Sequence, residues 1–270
     1  MNTQPESVID QFDGQIAWRE TGLGEPVILL HAMAGSSTAW MPQLECLGKK
    51  YRCIAWDMPG FGKSMSLGNG SRMVETVLAL RNFVTNSLGL NSAHFVGLSV
   101  GGMILQHFGA AHPDMIKSLV ILDSSPKFGF GGDSDATEFV NSILGDLDSG
   151  KSVEEFSNGM VRAIVGPQCP EIIKVEAIAA MSRATSAGLK LTTHLIGEHD
   201  ALEKLQGIKA PTLVMAGEND TDTPPAYARY IAEQIDGARF EMIDNAGHLS
   251  NLENAGAVNR HLLDFIGTQS

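Results

Sequence analysis

Apolar positions along this chain fall into two rhythms that take turns. Pro26–His31, Arg52–Trp56, Ala93–Val96, Ser118–Leu122 and Pro211–Ala216 are short and dense in apolar residues, the pattern of strands buried on both faces. Arg239–Ile243 reads as a further strand. Ser7–Phe12 and Gln15–Arg19 alternate instead, which predicts two strands joined as a hairpin at Asp13-Gly14. Between the strands, apolar residues recur at helical spacing. Met73–Leu88 carries Val77, Leu80, Val84 and Leu88 and stops at Gly89, and Thr38–Leu47, Met103–Ala111, Tyr227–Ile235 and Gly256–Ile266 read the same way. Strand and helix in such alternation imply an α/β fold with a mainly parallel, eight-stranded sheet covered by helices on both sides.

The rhythm breaks at Pro126. A Gly-rich stretch, Lys127–Asp135, leads into amphipathic helical patterns at Glu138–Leu147, Val153–Val165, Glu171–Met181 and Gly188–Glu198, separated by Gly150, Gly166-Pro167 and Pro170. No strand pattern returns before Pro211. Residues 127–205 are therefore expected to form a helical cap inserted into a core made of 1–126 and 206–270.

Composition narrows the class. The 270 residues suit one domain with an insertion, and 31 acidic against 19 basic residues give a net charge of −12. With no compensating basic run, neither nucleic acid nor an anionic membrane is an expected partner. Met1–Glu6 is polar and lacks the features of a signal peptide, and no apolar run approaches the length of a membrane span. Cys46, Cys53 and Cys169 are sparse and lack metal spacing, which suits reduced thiols in the cytoplasm. The sequon Asn69-Gly70-Ser71 is then a chance match. Gly62-Lys63-Ser64 resembles the end of a phosphate-binding loop, but the first glycine of that motif would fall on Asp57. Asp57–Gly62 is better read as a rigid turn with Asp57 bonding local backbone. No cofactor is implied.

Gly97-Leu98-Ser99-Val100-Gly101-Gly102 stands between a predicted strand and a predicted helix. That placement makes it a nucleophile elbow: the turn is so sharp that side chains beside Ser99 would collide, and glycine removes the collision. A serine hydroxyl needs a base, and the base needs a third group to fix its tautomer. His248, after the strand 239–243, fills the first role. Asp220, after the strand 211–216, fills the second. Asp123, at the end of strand 118–122, is the alternative acid, and Glu218 and Asp222 could also supply the carboxylate. The backbone N–H groups of Val100 and Met33 are the expected oxyanion donors. His31 reads as shaping the Met33 loop, with a substrate contact as the alternative. The remaining histidines read as structural.

These residues resemble the α/β-hydrolase fold superfamily over nearly the whole chain. The likeness rests on His31–Gly35, Asp57–Ser64, Gly97–Gly102, Gly217–Pro225 and Gly247–His248. Within it, Gly97–Ile104 and Ala246–Glu253 most resemble 3-oxoadipate enol-lactonases. The resemblance implies Ser99 as nucleophile, His248 as base and Asp220 as acid, and hydrolysis of a small lactone or ester through an acyl-enzyme. Ala32 departs from the glycine of many relatives. An enol-lactone of this kind carries a carboxylate, so cap cations would have to hold it: Arg162 and Arg183 are the candidate contacts, with Lys127 and Lys190 beside them. Rival readings are a C–C bond hydrolase of aromatic ring-fission products, a general esterase or perhydrolase, and a ligand receptor on the same scaffold.

Overall fold

Ala93–Leu98 (β5) is buried along its whole length and lies between Pro26–Leu30 (β3) and Ile116–Leu122 (β6). The computed structural model describes residues 7–68, 70–132 and 134–269; Met1–Glu6 and Asn69 of the sequon lie outside the described residues. With Ile9–Phe12 (β1), Ala17–Thr21 (β2), Arg52–Trp56 (β4), Thr212–Gly217 (β7) and Arg239–Ile243 (β8), the sheet runs β1-β2-β4-β3-β5-β6-β7-β8. β1 and β2 pair antiparallel, as do β2 and β4, and every other pair is parallel. Val27–Leu30 and Phe95–Val96 are fully enclosed, as strands covered on both faces must be. The parallel strands all end on one edge, where the loops gather.

Helices Met41–Leu47 (α1), Met73–Asn82 (α2), Val100–Ala111 (α3), Pro225–Gln234 (α8), Ser250–Glu253 (α9) and Ala255–Gly267 (α10) surround the sheet. Three elements differ from the sequence reading. The hairpin turns through four residues rather than two, since Phe12 pairs with Ala17. The Asp13 carboxylate holds this longer loop by accepting from the N–H groups of Gln15 and Ile16. The expected helix Thr38–Leu47 begins as a 3₁₀ turn, Ser37–Trp40, because Pro42 has no N–H to give the preceding turn. The expected helix Met73–Leu88 opens into a π-helical turn at Phe83–Ser87. The wider turn lets the adjacent Phe83 and Val84 both face the core, Phe83 stacking on Trp56 and meeting Trp18 edge-on.

Between β6 and β7 come four helices: Ala136–Asp148 (α4), Val153–Ile164 (α5), Glu171–Met181 (α6) and Ser186–Gly197 (α7). Their starts are capped by side chains of the sequence itself. Asp135 accepts from Thr137 and Glu138 N–H, Ser152 and Glu155 form a reciprocal box, and Thr185 accepts from Gly188 N–H. Backbone bonds tie this insertion to the sheet edge: Thr185 N–H to Gly60 O at 2.8 Å, Gly62 N–H to Arg183 O at 3.0 Å, and His248 N–H to Ile164 O at 3.1 Å. At its base, His199 is almost completely buried, with Nε2 2.8 Å from Ser125 O and Nδ1 3.2 Å from His107 Nε2. Burial lowers the pKa of His107 to about 4 and of His199 to about 3, so both are neutral at pH 7. No helix among the described residues is long and apolar enough to cross a membrane.

Candidate active site

Ser99 sits between β5 and α3 at φ 54° and ψ −120°, a conformation that strains any residue with a side chain. The glycines beside it relieve the crowding. A methyl on Gly97 would stand 2.5 Å from Gly101 O, and one on Gly101 would stand 2.4 Å from Leu30 O. The turn is pinned by Ser99 N–H to Leu122 O and by the Ser124 hydroxyl to Ser99 O, both at 2.9 Å.

Two loops meet this turn. His248 Nε2 lies 2.9 Å from Ser99 Oγ, and His248 Nδ1 lies 2.9 Å from Asp220 Oδ2. Asp220 is itself fixed: its Oδ1 accepts from the N–H groups of Asp222 and Thr223, and its Oδ2 accepts from the Thr223 hydroxyl at 2.8 Å. Burial raises the Asp220 pKa, but the His248 charge and these hydrogen bonds outweigh it, and the carboxyl ends below its ordinary value. Burial likewise opposes a charge on His248. Here Asp220, Asp222 and Asp123 prevail and push the imidazole up to about 10. Asp222 acts at close range, with Oδ2 3.4 Å from His248 Nε2, the nitrogen that faces Ser99.

Asp123 does not touch His248. Its Oδ1 accepts from Gly217 N–H at 2.7 Å, and its Oδ2 accepts from the N–H and hydroxyl of Ser250 at 3.2 and 2.6 Å. It thus braces the two loops that carry Asp220 and His248. Full burial and the Asp220 charge push it up to about 8. Glu218 is also occupied elsewhere, accepting from Asn245 N–H. Between Asp220 and Asp123, the geometry places Asp220 on the imidazole.

The N–H groups of Val100, in the first turn of α3, and of Met33, after β3, have no hydrogen-bond partner among the described residues. Met33 lines a cavity of about 270 Å³ together with Ser99 and His248. The insertion supplies much of its apolar wall, with Phe128, Phe139, Met160, Ile164 and Ile196, and Met103 and Tyr227 come from the core. Sequence reasoning missed these wall residues. Amphipathic helices mark an apolar face, but not whether that face meets another helix or a ligand.

The expected substrate contacts fall elsewhere. His31 is fully enclosed, its Nε2 accepting from Met58 N–H at 3.0 Å and its Nδ1 donating to Ala32 O at 2.7 Å. Burial lowers it to about 4, so it holds two loops together and cannot reach a substrate. Arg162 is paired through both terminal nitrogens with Glu171 on the outside of the insertion. Arg183 stands beside Asp57, at 3.6 Å, lining a different cavity. Lys127 and Lys190 pair with Asp200 and Asp148. The Asp57 carboxylate bonds Ser37 N–H, twenty residues away, rather than its own turn.

Comparison with known proteins fits this architecture. The family model for the alpha/beta hydrolase fold matches residues 25–164, and that for TAP-like protein matches residues 175–270. The chain belongs to the α/β-hydrolase fold family. A pimeloyl-[acyl-carrier protein] methyl ester esterase of Vibrio cholerae is 26% identical, over 92% of this chain and 96% of the relative. A 3-oxoadipate enol-lactonase of Acinetobacter baylyi is also 26% identical, over 84% of this chain and 83% of its own length. Among solved structures, a thermophilic esterase of Thermogutta terrifontis superposes with a TM-score of 0.85 at 22% identity, covering 99% of each chain.

Proposed function

We propose that the chain is a serine hydrolase that cleaves a small ester or lactone through an acyl-enzyme, with residues 127–205 as the cap over its site. One observation carries this reading: Ser99 Oγ, His248 and Asp220 form a continuous 2.9 Å relay opening into an apolar cavity. His248 takes the Ser99 proton as Oγ attacks the carbonyl carbon. The N–H groups of Val100 and Met33 receive the negative oxygen. The imidazolium then gives its proton to the leaving oxygen, and water, activated by the same imidazole, releases the acid.

The lining supports a neutral substrate with an apolar acyl part. Among the described residues, Asp222 is the one carboxylate in the cavity wall, His248 is the one histidine, and no Lys or Arg lines it. An anionic enol-lactone would meet the Asp222 carboxylate, and the one cationic group in the described wall, His248, must lose its charge to act as base, so the substrate carboxylate has no partner in the active form. Initial rates on p-nitrophenyl butyrate, a neutral lactone, a carboxylate-bearing enol-lactone and a dienoic ring-fission product test this. The neutral substrates are expected to be preferred by at least about 100-fold in kcat/KM, the order of a lost charge partner. Preference for either anionic substrate overturns the assignment.

The pH profile follows from the charges around His248. A base must be neutral to act, so a pKa raised toward 10 leaves the free enzyme mostly in the inactive imidazolium form at pH 7. Activity is therefore expected to climb with pH through the alkaline range. Removing the Asp222 charge as Asp222→Asn should move the rising limb of kcat/KM down by about one pH unit, a modest shift because this carboxylate is more than half exposed. An unmoved limb would show that Asp222 has no hold on the imidazole.

A further inference from the structure

The backbone that carries His248 is held by a side chain that the relay does not use. Glu253, at the end of α9, turns its carboxylate back onto the loop before that helix. Its Oε2 accepts from Gly247 N–H at 3.0 Å, and its Oε1 accepts from Leu249 N–H at 3.1 Å. The residues on both sides of His248 are thus bound to one carboxylate. Oε2 also accepts from Gly166 N–H at 2.8 Å, and Gly166 belongs to the insertion, just past the end of α5.

A second bond runs beside these. His248 N–H donates to Ile164 O, so the N–H groups of Gly247, His248 and Leu249 are all engaged by Glu253 or by α5. Gly166 and Gly247 are both buried and pack backbone against backbone. A methyl on Gly247 would stand 2.2 Å from Gly166 N, and one on Gly166 would stand 2.9 Å from Glu253 Oε2. Glycine at both positions lets the insertion reach the carboxylate. Met160 and Ile164, on α5, line the cavity that opens on Ser99. One carboxylate therefore joins the segment that forms the apolar wall to the segment that carries the base.

We propose that Glu253, given the serine-hydrolase reading on which this rests, is a positioning residue that couples the apolar wall to His248. A substrate whose acyl chain packs on Met160 and Ile164 steadies the end of α5. Through Gly166, Glu253 and Gly247, the same contact steadies the imidazole against Ser99. Binding energy from a part of the substrate remote from the carbonyl then shows in kcat and not only in KM. A base displaced by about 1 Å can lose about 100-fold in rate, so a small slackening of this seam is measurable.

Steady-state kinetics on p-nitrophenyl acetate and p-nitrophenyl butyrate, run well below the melting temperature of each protein, test the coupling. The wild type is expected to have a kcat at least about fivefold higher on the longer ester. Glu253→Gln keeps the size of the side chain but turns an NH₂ toward N–H donors. It should bring the kcat ratio of the two esters close to one, while their KM ratio changes by less than about twofold. Gly166→Ala is the independent variant, and it decides the question should Glu253→Gln not fold. Its methyl displaces the carboxylate from the insertion side and leaves Ser99, His248 and Asp220 unaltered, and the same loss of ratio is expected. A folded variant of either kind that melts lower but keeps the wild-type kcat ratio makes Glu253 a brace of the fold alone and overturns the proposal. Equal kcat on both esters in the wild type also overturns it and leaves the hydrolase reading standing. A wild type that turns over neither ester overturns the hydrolase reading, and the coupling with it.

Discussion

Ser99→Ala is expected to lower kcat/KM for ester hydrolysis by about 10⁴- to 10⁶-fold, the range in which loss of an attacking hydroxyl falls when its base and oxyanion donors remain. Only one oxygen leaves. The backbone at 99 stays at positive φ because alanine, like serine, carries a Cβ, so the strain there neither rises nor disappears. The bonds that pin the turn use Ser99 N–H and C=O, not its hydroxyl. The melting temperature should therefore stay within a few degrees of wild type, a change of about 1 kcal/mol or less. Steady-state rates on a p-nitrophenyl ester together with a thermal melt decide the matter. A folded variant with wild-type turnover would remove Ser99 from the chemistry. A folded, inactive variant that still binds product would also set aside the ligand-receptor reading, since the wild type would then turn over what the variant only holds.

The parts of the site legible in the sequence are those where backbone sterics leave few choices. Gly97 and Gly101 are demanded by atoms 2.4 to 2.5 Å from where a methyl would go. His248 and Asp220 were legible for a related reason: each follows a strand of the parallel part of the sheet, and parallel strands deliver their ends to one edge. What failed to show were pairings set by side chains far apart in sequence. Arg162 reads as free in a helix pattern, yet Glu171, nine residues on, claims it. Asp57 reads as a local turn former, yet Ser37 N–H claims it. Asp222 was visible as a neighbour of Asp220, but only the folded loop brings it to the opposite nitrogen of the imidazole.

The same distinction explains why the acid could not be chosen from the sequence. Asp123 and Asp220 both follow core strands, and both end beside the elbow. In the folded chain they face different donors, and substitution by asparagine should separate them. Asp220→Asn keeps the shape but removes the charge that holds Nδ1–H of His248 and stabilises the imidazolium. A fall of about 10³- to 10⁴-fold in kcat/KM is expected. The effect on the fold should be small, because the amide oxygen can still accept from Asp222 and Thr223 N–H. Asp123→Asn should do the reverse. Above about pH 8, where this carboxyl is ionised, its two oxygens serve three donors from Gly217 and Ser250, and an amide offers only one acceptor for them. A buried N–H of Ser250 then goes unpaired, at about 1–3 kcal/mol, while the His248–Asp220 contact is left in place. Stability should drop by several degrees and kcat/KM by less than about tenfold when assayed well below the melting point. If instead Asp123→Asn is the inactive variant and Asp220→Asn works normally, the imidazole is oriented by the other carboxylate and the 2.9 Å contact to Asp220 has no catalytic meaning.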